Sequence, residues 1–217
     1  MPATLARDGF ELFPSIDRSS LVRLDELTRA VQPDGRRGGL RDPQLKIGGL
    51  ANAVDASGLH TLASELLGKT ALPVRWILFD KTSAANWLVP WHRDTTICVR
   101  ERIDVDGFGP WSVKDGRVHV QPPLDVLRGM VTLRLHIDRA DETNGALRLI
   151  PASHRCERID EDHADTETSL VCAEAGQVLA MRPLALHASS KATVATRRRV
   201  LHIEYAPGPL PSPLEWG

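Results

Sequence analysis

The 217-residue sequence has few cysteines, no long apolar run and no excess of charge of either sign, and each shortage removes a class of protein. Cys98, Cys156 and Cys172 are odd in number, widely spaced and form no CxxC pair. A disulfide framework and a thiolate zinc site are therefore not expected, and the cysteines read as reduced, mostly packing residues. With 27 basic and 28 acidic residues and a formal net charge of −1, no overall positive field attracts nucleic acid or anionic lipid, and neither partner is expected. The longest apolar runs fall far short of the roughly 20 residues needed to span a bilayer. The opening stretch, MPATLARDGFELFP, lacks the apolar segment of a secretory signal, so the expected location is cytoplasmic, with no membrane partner. No internal repeat is visible. The length suits one substantial core, hence a single domain over residues 1–217.

What is present falls into two textures. SSLVRLDELTRAVQPDG carries Leu21, Leu24, Leu27 and Val31 at helical spacing between a serine start and a Pro/Gly stop, and DASGLHTLASELLGKT repeats the pattern and ends on Gly68. From about residue 71 the chain turns to short runs rich in Val, Ile and Leu, broken by Pro, Gly and Asn: VRWILFDK, TTICVRE, GMVTLRLHID, GALRLIPAS, SLVCAE, GQVLAMRPLALHAS and RRRVLHIEYA. A helical part over about 1–70 and a strand-rich core over about 71–207 predict a mainly β fold, a sandwich or jelly roll with helices buttressing one sheet. RCERIDEDHADTET (155–168) reads as an exposed acidic loop and APGPLPSPLEWG as a Pro-rich tail.

Two strands are sharply two-faced. In MVTLRLHI, Val131, Leu133, Leu135 and Ile137 share one face, and Met130, Thr132, Arg134 and His136 the other. In the last strand, Leu201, Ile203 and Tyr205 oppose Arg198, Val200, His202 and Glu204. Either the polar faces are solvated, as is common in antiparallel sheets, or they line a cavity inside the roll. Metal-ligand arithmetic favours the cavity. Residues i and i+2 of a strand point the same way, so His-x-Asp brings a nitrogen and a carboxylate to one point, where a second histidine completes a three-ligand set with open positions, suited to Fe(II). The chain holds three such pairs. His163 and Asp165 sit in the acidic loop, where nothing holds a ligand rigidly. His136 and Asp138 end a strand about three strand-like runs before His187, whereas His92 and Asp94 stand four runs before it, the separation a jelly roll favours. His119, His154 and His202 read as ordinary polar or supporting residues.

FDKTSAANWLVPWHRDTT, NGALRLIPASH and LHASSKATVATRRRVLHIEYAP, in this order and at this spacing, resemble the phytanoyl-CoA dioxygenase family of Fe(II)- and 2-oxoglutarate-dependent oxygenases over about residues 70–207. The resemblance implies a double-stranded β-helix, cupin-like, with His92, Asp94 and His187 as iron ligands. It also implies that Arg198, eleven residues after His187, binds the distal carboxylate of 2-oxoglutarate. A guanidinium suits a carboxylate, and strand phase turns Arg197 and Arg199 the other way. Ser189 matches the family's His-x-Ser, and Lys81 an upstream lysine of some members; both are candidates for holding the cosubstrate.

There are departures: Gly176-Gln177 stands for a Gly-Asp, PASH for Pro-Gly-Ser-His, and Arg134 occupies a position where many members carry tryptophan. The last departure concerns substrate, so no acyl-CoA specificity is carried over. Arg134, with Thr132 and His136 beside it, is the candidate contact for a small polar or anionic substrate, unless Arg134 pairs with a resident acid such as Glu204 or assists 2-oxoglutarate. The implied reaction consumes O2 and 2-oxoglutarate, releases succinate and CO2, and by default hydroxylates; the carboxylate of Asp94 speaks against halogenation. A cupin-like binding module without turnover and a metal-dependent hydrolase are the alternatives from other classes. Oligomeric state is not addressed by these residues.

Overall fold

The computed structural model describes residues 2–31, 39–157 and 167–217; His163, Asp165 and most of the acidic loop lie outside them. The helices are α1 (Ala3–Asp8), α2 (Arg18–Arg29), α3 (Pro43–Lys46), α4 (Leu50–Ala56), α5 (Leu59–Leu67) and α6 (Leu124–Arg128). The strands are β1 (Phe10–Phe13), β2 (Gly39–Arg41), β3 (Leu72–Lys81), β4 (Val89–His92), β5 (Ile97–Val99), β6 (Trp111–Lys114), β7 (Arg117–Val120), β8 (Val131–His136), β9 (Leu147–Leu149), β10 (Ser169–Val171), β11 (Val178–Met181), β12 (His187–Ser189) and β13 (Arg198–Ala206).

They form a jelly roll. A six-stranded sheet in the order β1-β11-β8-β13-β3-β2 faces a four-stranded sheet in the order β10-β9-β12-β4, and β5-β7-β6 makes a third, smaller sheet. The alternation of β8 and β13 decides the layering. Val131, Leu133, Leu135, Leu201, Ile203 and Tyr205 are fully buried against Leu24, Leu50, Val54 and Leu59 of the helices, where apolar area removed from water contributes about 25 cal/mol per Å2. Between the two larger sheets, Leu147, Leu149, Leu179 and Met181 fill one end; the other end stays open as a cavity.

Four features differ from the sequence expectation. β1 and β2 come from the N-terminal, helix-rich part and close the two edges of the large sheet. α4 and α5 are separate helices, and Gly58 between them is left-handed at φ 79°. GQVLAMRPLALHAS is two strands in different sheets, because Pro183 cannot donate to a ladder and the chain crosses over there. The Pro-rich tail is docked, with Leu210 and Leu214 buried and Trp216 bridged to Val99. As expected, all three cysteines are free; Cys98 and Cys156 are buried and Cys172 is exposed. Among the described residues no helix is long and apolar enough to cross a membrane.

Candidate functional site

β4 and β12 are hydrogen-bonded neighbours, with His92 opposite His187 and a register shift beyond it, and Asp94 lies two residues past the end of β4. The structure brings these three side chains together, their ligand atoms all within 4.8 Å of one another. His92 Nε2 lies 4.0 Å from Asp94 Oδ1, and His187 Nε2 lies 3.8 Å from Asp94 Oδ2. Each imidazole uses Nδ1 to donate to a carbonyl two residues back, His92 to Pro90 and His187 to Ala185, both at 2.9 Å. That fixes the tautomer and turns each Nε2 lone pair toward the common point. Burial lowers the His187 pKa to about 4, so the ring is neutral and available as a ligand at neutral pH. Burial opposes ionisation of Asp94, yet His187, His202 and Arg75 hold its carboxyl below the ordinary range. Asp94 Oδ2 is buried without a hydrogen-bond partner, the condition of an oxygen shaped to receive a cation. By contrast His136 and Asp138 part company: the imidazole is buried in the sheet, while Asp138 reaches the other face and binds Arg199.

Two residues that sequence reasoning passed over hold this centre in place. Arg93, between His92 and Asp94, is buried and donates from Nη1 to the carbonyls of Ser153 and Leu184. Ser153, of the PASH segment, accepts from the Leu186 amide at 2.8 Å. Together they tie the segment bearing His92 and Asp94 to the one bearing His187. No local signal marks Arg93, because a charge between two inward-facing residues is ordinary on the outer face of a strand.

The facing wall is the inner surface of the large sheet. Register places Arg198 beside Lys81, Val200 between His136 and Phe79, His202 between Arg134 and Ile77, and Glu204 between Thr132 and Arg75. A cavity of about 170 Å3 lies between this wall and the metal-ligand residues; Lys81, Arg134, Ser189, Arg198 and His202 line it, with Phe79 and Trp87 supplying apolar surface. Lys81 Nζ donates to Ser189 Oγ at 2.8 Å and to the Ser190 carbonyl at 2.5 Å. Ser189 Oγ donates in turn to the Gly145 carbonyl, so its hydroxyl positions Lys81. Gly145 has φ +80°, and a Cβ there would lie 2.4 Å from the Ser190 carbonyl and 2.9 Å from Lys81 Nζ, so only glycine fits.

Arg198 is buried, and its Nε and Nη1 have no hydrogen-bond partner; burial, with Arg134 adding, lowers its pKa to about 10, so it stays a cation. Arg134 Nη1 donates to His202 Nδ1 at 2.9 Å, and Phe79 lies beneath its guanidinium. Glu204 does not pair with Arg134: it is engaged by Arg75 at 3.2 Å and His202 at 3.3 Å. The structure does not bring Thr132 or His136 to the cavity surface. Thr132 Oγ1 and both His136 ring nitrogens are buried without partners, and burial, then Arg134 and Arg198, lowers the His136 pKa to about 3. His119 and His154 also lie away from the cavity lining.

The sequence matches the family model described as "Phytanoyl-CoA dioxygenase (PhyH)" over residues 27–200. The chain belongs to the phytanoyl-CoA dioxygenase family. No curated protein matches it in sequence. In fold it is similar to AviO1 from Streptomyces viridochromogenes Tue57, at 21% identity and TM-score 0.69 over 96% of this chain and 95% of that one. EctD from S. alaskensis, solved with 2-oxoglutarate and 5-hydroxyectoine, is similar at 17% identity and TM-score 0.69, covering 94% and 74%. So is SnoN, a non-heme alpha ketoglutarate dependent epimerase from nogalamycin biosynthesis, at 15% identity and TM-score 0.69, covering 94% and 80%. For a phytanoyl-CoA dioxygenase family chain the donor set fits its expected metal: two imidazoles and one carboxylate, with further positions open, are the ligands of non-haem Fe(II). The unpartnered Asp94 Oδ2 and the buried Arg198 are the two groups that iron and 2-oxoglutarate would satisfy.

Proposed function

We propose that this protein is an Fe(II)- and 2-oxoglutarate-dependent oxygenase that hydroxylates a small polar or anionic molecule. The observation that carries the reading is Arg198: a buried, incompletely hydrogen-bonded guanidinium opening on the same cavity as His92, Asp94 and His187. Burying such a cation without an anionic partner is costly, and a dicarboxylate that also meets the metal supplies the partner. A metal hydrolase has no use for it.

His92, Asp94 and His187 would hold the iron. Bound there, iron with 2-oxoglutarate and O2 supplies the oxidative decarboxylation of the cosubstrate to succinate and CO2 and the oxidant for a substrate C–H bond. Arg198 offers two parallel N–H donors to the distal carboxylate, and Lys81 adds a second cation beside it. Ser189 and Gly145 keep the Lys81 ammonium on that spot. Phe79, Trp87, Val89 and Leu147 exclude water from the apolar side of the cavity, which strengthens each charge contact within it.

The test is succinate formation from 2-oxoglutarate under air with and without Fe(II). The expected result is iron-dependent succinate in the wild type, none in His92→Ala, Asp94→Ala or His187→Ala, and a cosubstrate Kd weakened by roughly 2–5 kcal/mol in Arg198→Met, the cost of truncating one buried charge pair. Succinate formation that survives in Asp94→Ala overturns the assignment. A protein that binds 2-oxoglutarate without turnover is a binding module, and turnover without 2-oxoglutarate marks a hydrolase. Incorporation of label from 18O2 into the product separates hydroxylation from epimerisation or ring closure.

A further inference from the structure

Arg134 is the charge in this cavity for which the proposed reaction has no role. It is 5% exposed, sits mid-strand on β8 and is held from below by the Phe79 ring, 5.3 Å from the guanidinium carbon. Its one hydrogen bond goes to His202 Nδ1. A guanidinium only donates, so Nδ1 must be the unprotonated nitrogen; the ring proton is then on Nε2, facing Glu204 Oε1. His202 is thereby a neutral acceptor and supplies no charge to Arg134. The nearby acids are taken. Glu204 is paired with Arg75, Asp138 with Arg199 on the opposite face, and Asp94 belongs to the metal-ligand set. Arg134 Nε has no hydrogen-bond partner.

Charge balance gives the same answer. Of the basic residues that line the cavity, Arg75 and Arg41 have acid partners, Glu204 and Asp115. Lys81, Arg134 and Arg198 do not, and the one acid among the lining residues is Asp94. A divalent metal and a dianionic cosubstrate cancel, so the occupied site would still carry at least one positive charge in excess. Arg198 and Lys81 stand together in one cross-strand row, while Arg134 stands beside His202, four residues further along β13; the His202 ligand atom is within 4.8 Å of an Asp94 oxygen. The excess cation is therefore one imidazole from the metal-ligand residue Asp94 and apart from the pair assigned to the distal carboxylate.

We infer that Arg134 anchors an anionic group of the substrate, so that the molecule oxidised is a small organic anion bearing a carboxylate or phosphate. This rests on the oxygenase reading and names its substrate class. Docking that anion on Arg134 completes the hydrogen bonding of the guanidinium and fixes the rest of the molecule against the metal-ligand residues.

The experiment is calorimetric titration of acetate, methyl phosphate and acetamide into protein loaded with Mn(II) and 2-oxoglutarate, in the wild type, Arg134→Met and Arg134→Gln. Gln retains a donor for His202 Nδ1 and so carries the test where Met disturbs the fold. The expected result is saturable binding of acetate or methyl phosphate to the wild type, no binding of acetamide, and weakening by roughly tenfold or more in both variants, as for loss of a charge-assisted contact. The 2-oxoglutarate Kd should stay within roughly threefold. Acetate distinguishes a carboxylate site, methyl phosphate a phosphate site. Arg134 is no substrate anchor if neither anion binds the wild type, if the anions bind all three proteins alike, if they compete with 2-oxoglutarate, or if the variants lose 2-oxoglutarate as strongly as they lose the anions. The two readings fail separately. Anion uptake without succinate formation keeps the anchor and overturns the oxygenase; succinate formation without anion uptake does the reverse.

Discussion

Lys81 is buried beside two arginines, and burial first, with Arg198 and Arg134 adding, lowers its pKa to about 7. A carboxylate arriving next to the amine favours its charged form, so the bound state keeps the proton to a higher pH than the empty one. The sign follows. The Lys81 contribution to cosubstrate binding is fully present below about pH 7 and is lost as pH rises through the pKa of the bound state. We expect 2-oxoglutarate Kd to weaken progressively from about pH 7 upward and the slope to flatten in Lys81→Met, checked by anaerobic titration across roughly pH 6 to 9. At this scale the sequence was readable where strand phase applied. Arg198 and Arg134 were placed inward by counting, and Arg197 and Arg199 outward. Arg93 was not, because its role is to satisfy carbonyls of Ser153 and Leu184 that are distant along the chain.

The turn entering β9 shows how one element conditions another. Gly145 allows the Ser190 carbonyl, Lys81 and Ser189 to close on each other, and the left-handed backbone adds strain for any side chain. Gly145→Ala should lower the melting temperature, by an amount corresponding to about 1–3 kcal/mol, and should weaken 2-oxoglutarate as well, because the displaced group is the Lys81 clamp. Thermal melting paired with cosubstrate titration checks both; loss of stability with unchanged affinity would detach the turn from the site. Among the elements, β8 and β13 were legible because each runs long enough to show alternation, and β3 because its apolar run is long. β1, β2 and β4 were not: each is four residues or fewer and lacks the Val/Ile-rich run that marked other short strands such as β5 and β10, and β4 contains Pro90. The β6–β7 hairpin did carry a signal that was not used. Asp115 and Gly116 both have positive φ, 52° and 78°, as a two-residue hairpin turn of the Asp-Gly kind requires.

The helical layer is attached to the sheet through charge as well as through oil. Arg199 donates to Asp138 from Nε at 2.8 Å and from Nη2 at 2.7 Å, and from Nη2 to Asp25 of α2 at 2.6 Å. Its neighbour Arg197 binds the buried Asp80 and the Val31 carbonyl just past the same helix. Removing the buried member of such a network leaves Asp138 without its cation, while Asp25 keeps its ion pair with Arg29. Because Asp25 and Asp138 keep some solvent, we expect Arg199→Ala to cost about 2–4 kcal/mol, below the full figure for a wholly buried pair. Urea denaturation measures the loss, and 2-oxoglutarate affinity in the folded variant should be unchanged. The jelly roll was foreseeable from the order of helices and strands, whereas the docking of the Pro-rich tail depends on partners such as Val99 that no local pattern announces.

The alternation of Arg197, Arg198 and Arg199 also limits how this protein can change over generations. Inner and outer faces exchange with every residue along a strand, so the loss or gain of one residue in β13 would turn Arg198 and His202 toward the helices and bring Leu201 and Ile203 into the cavity. A lineage carrying this fold is free to alter the cavity by substitution, one row at a time, but not by changing the length of this strand; variation in length is left to the loops.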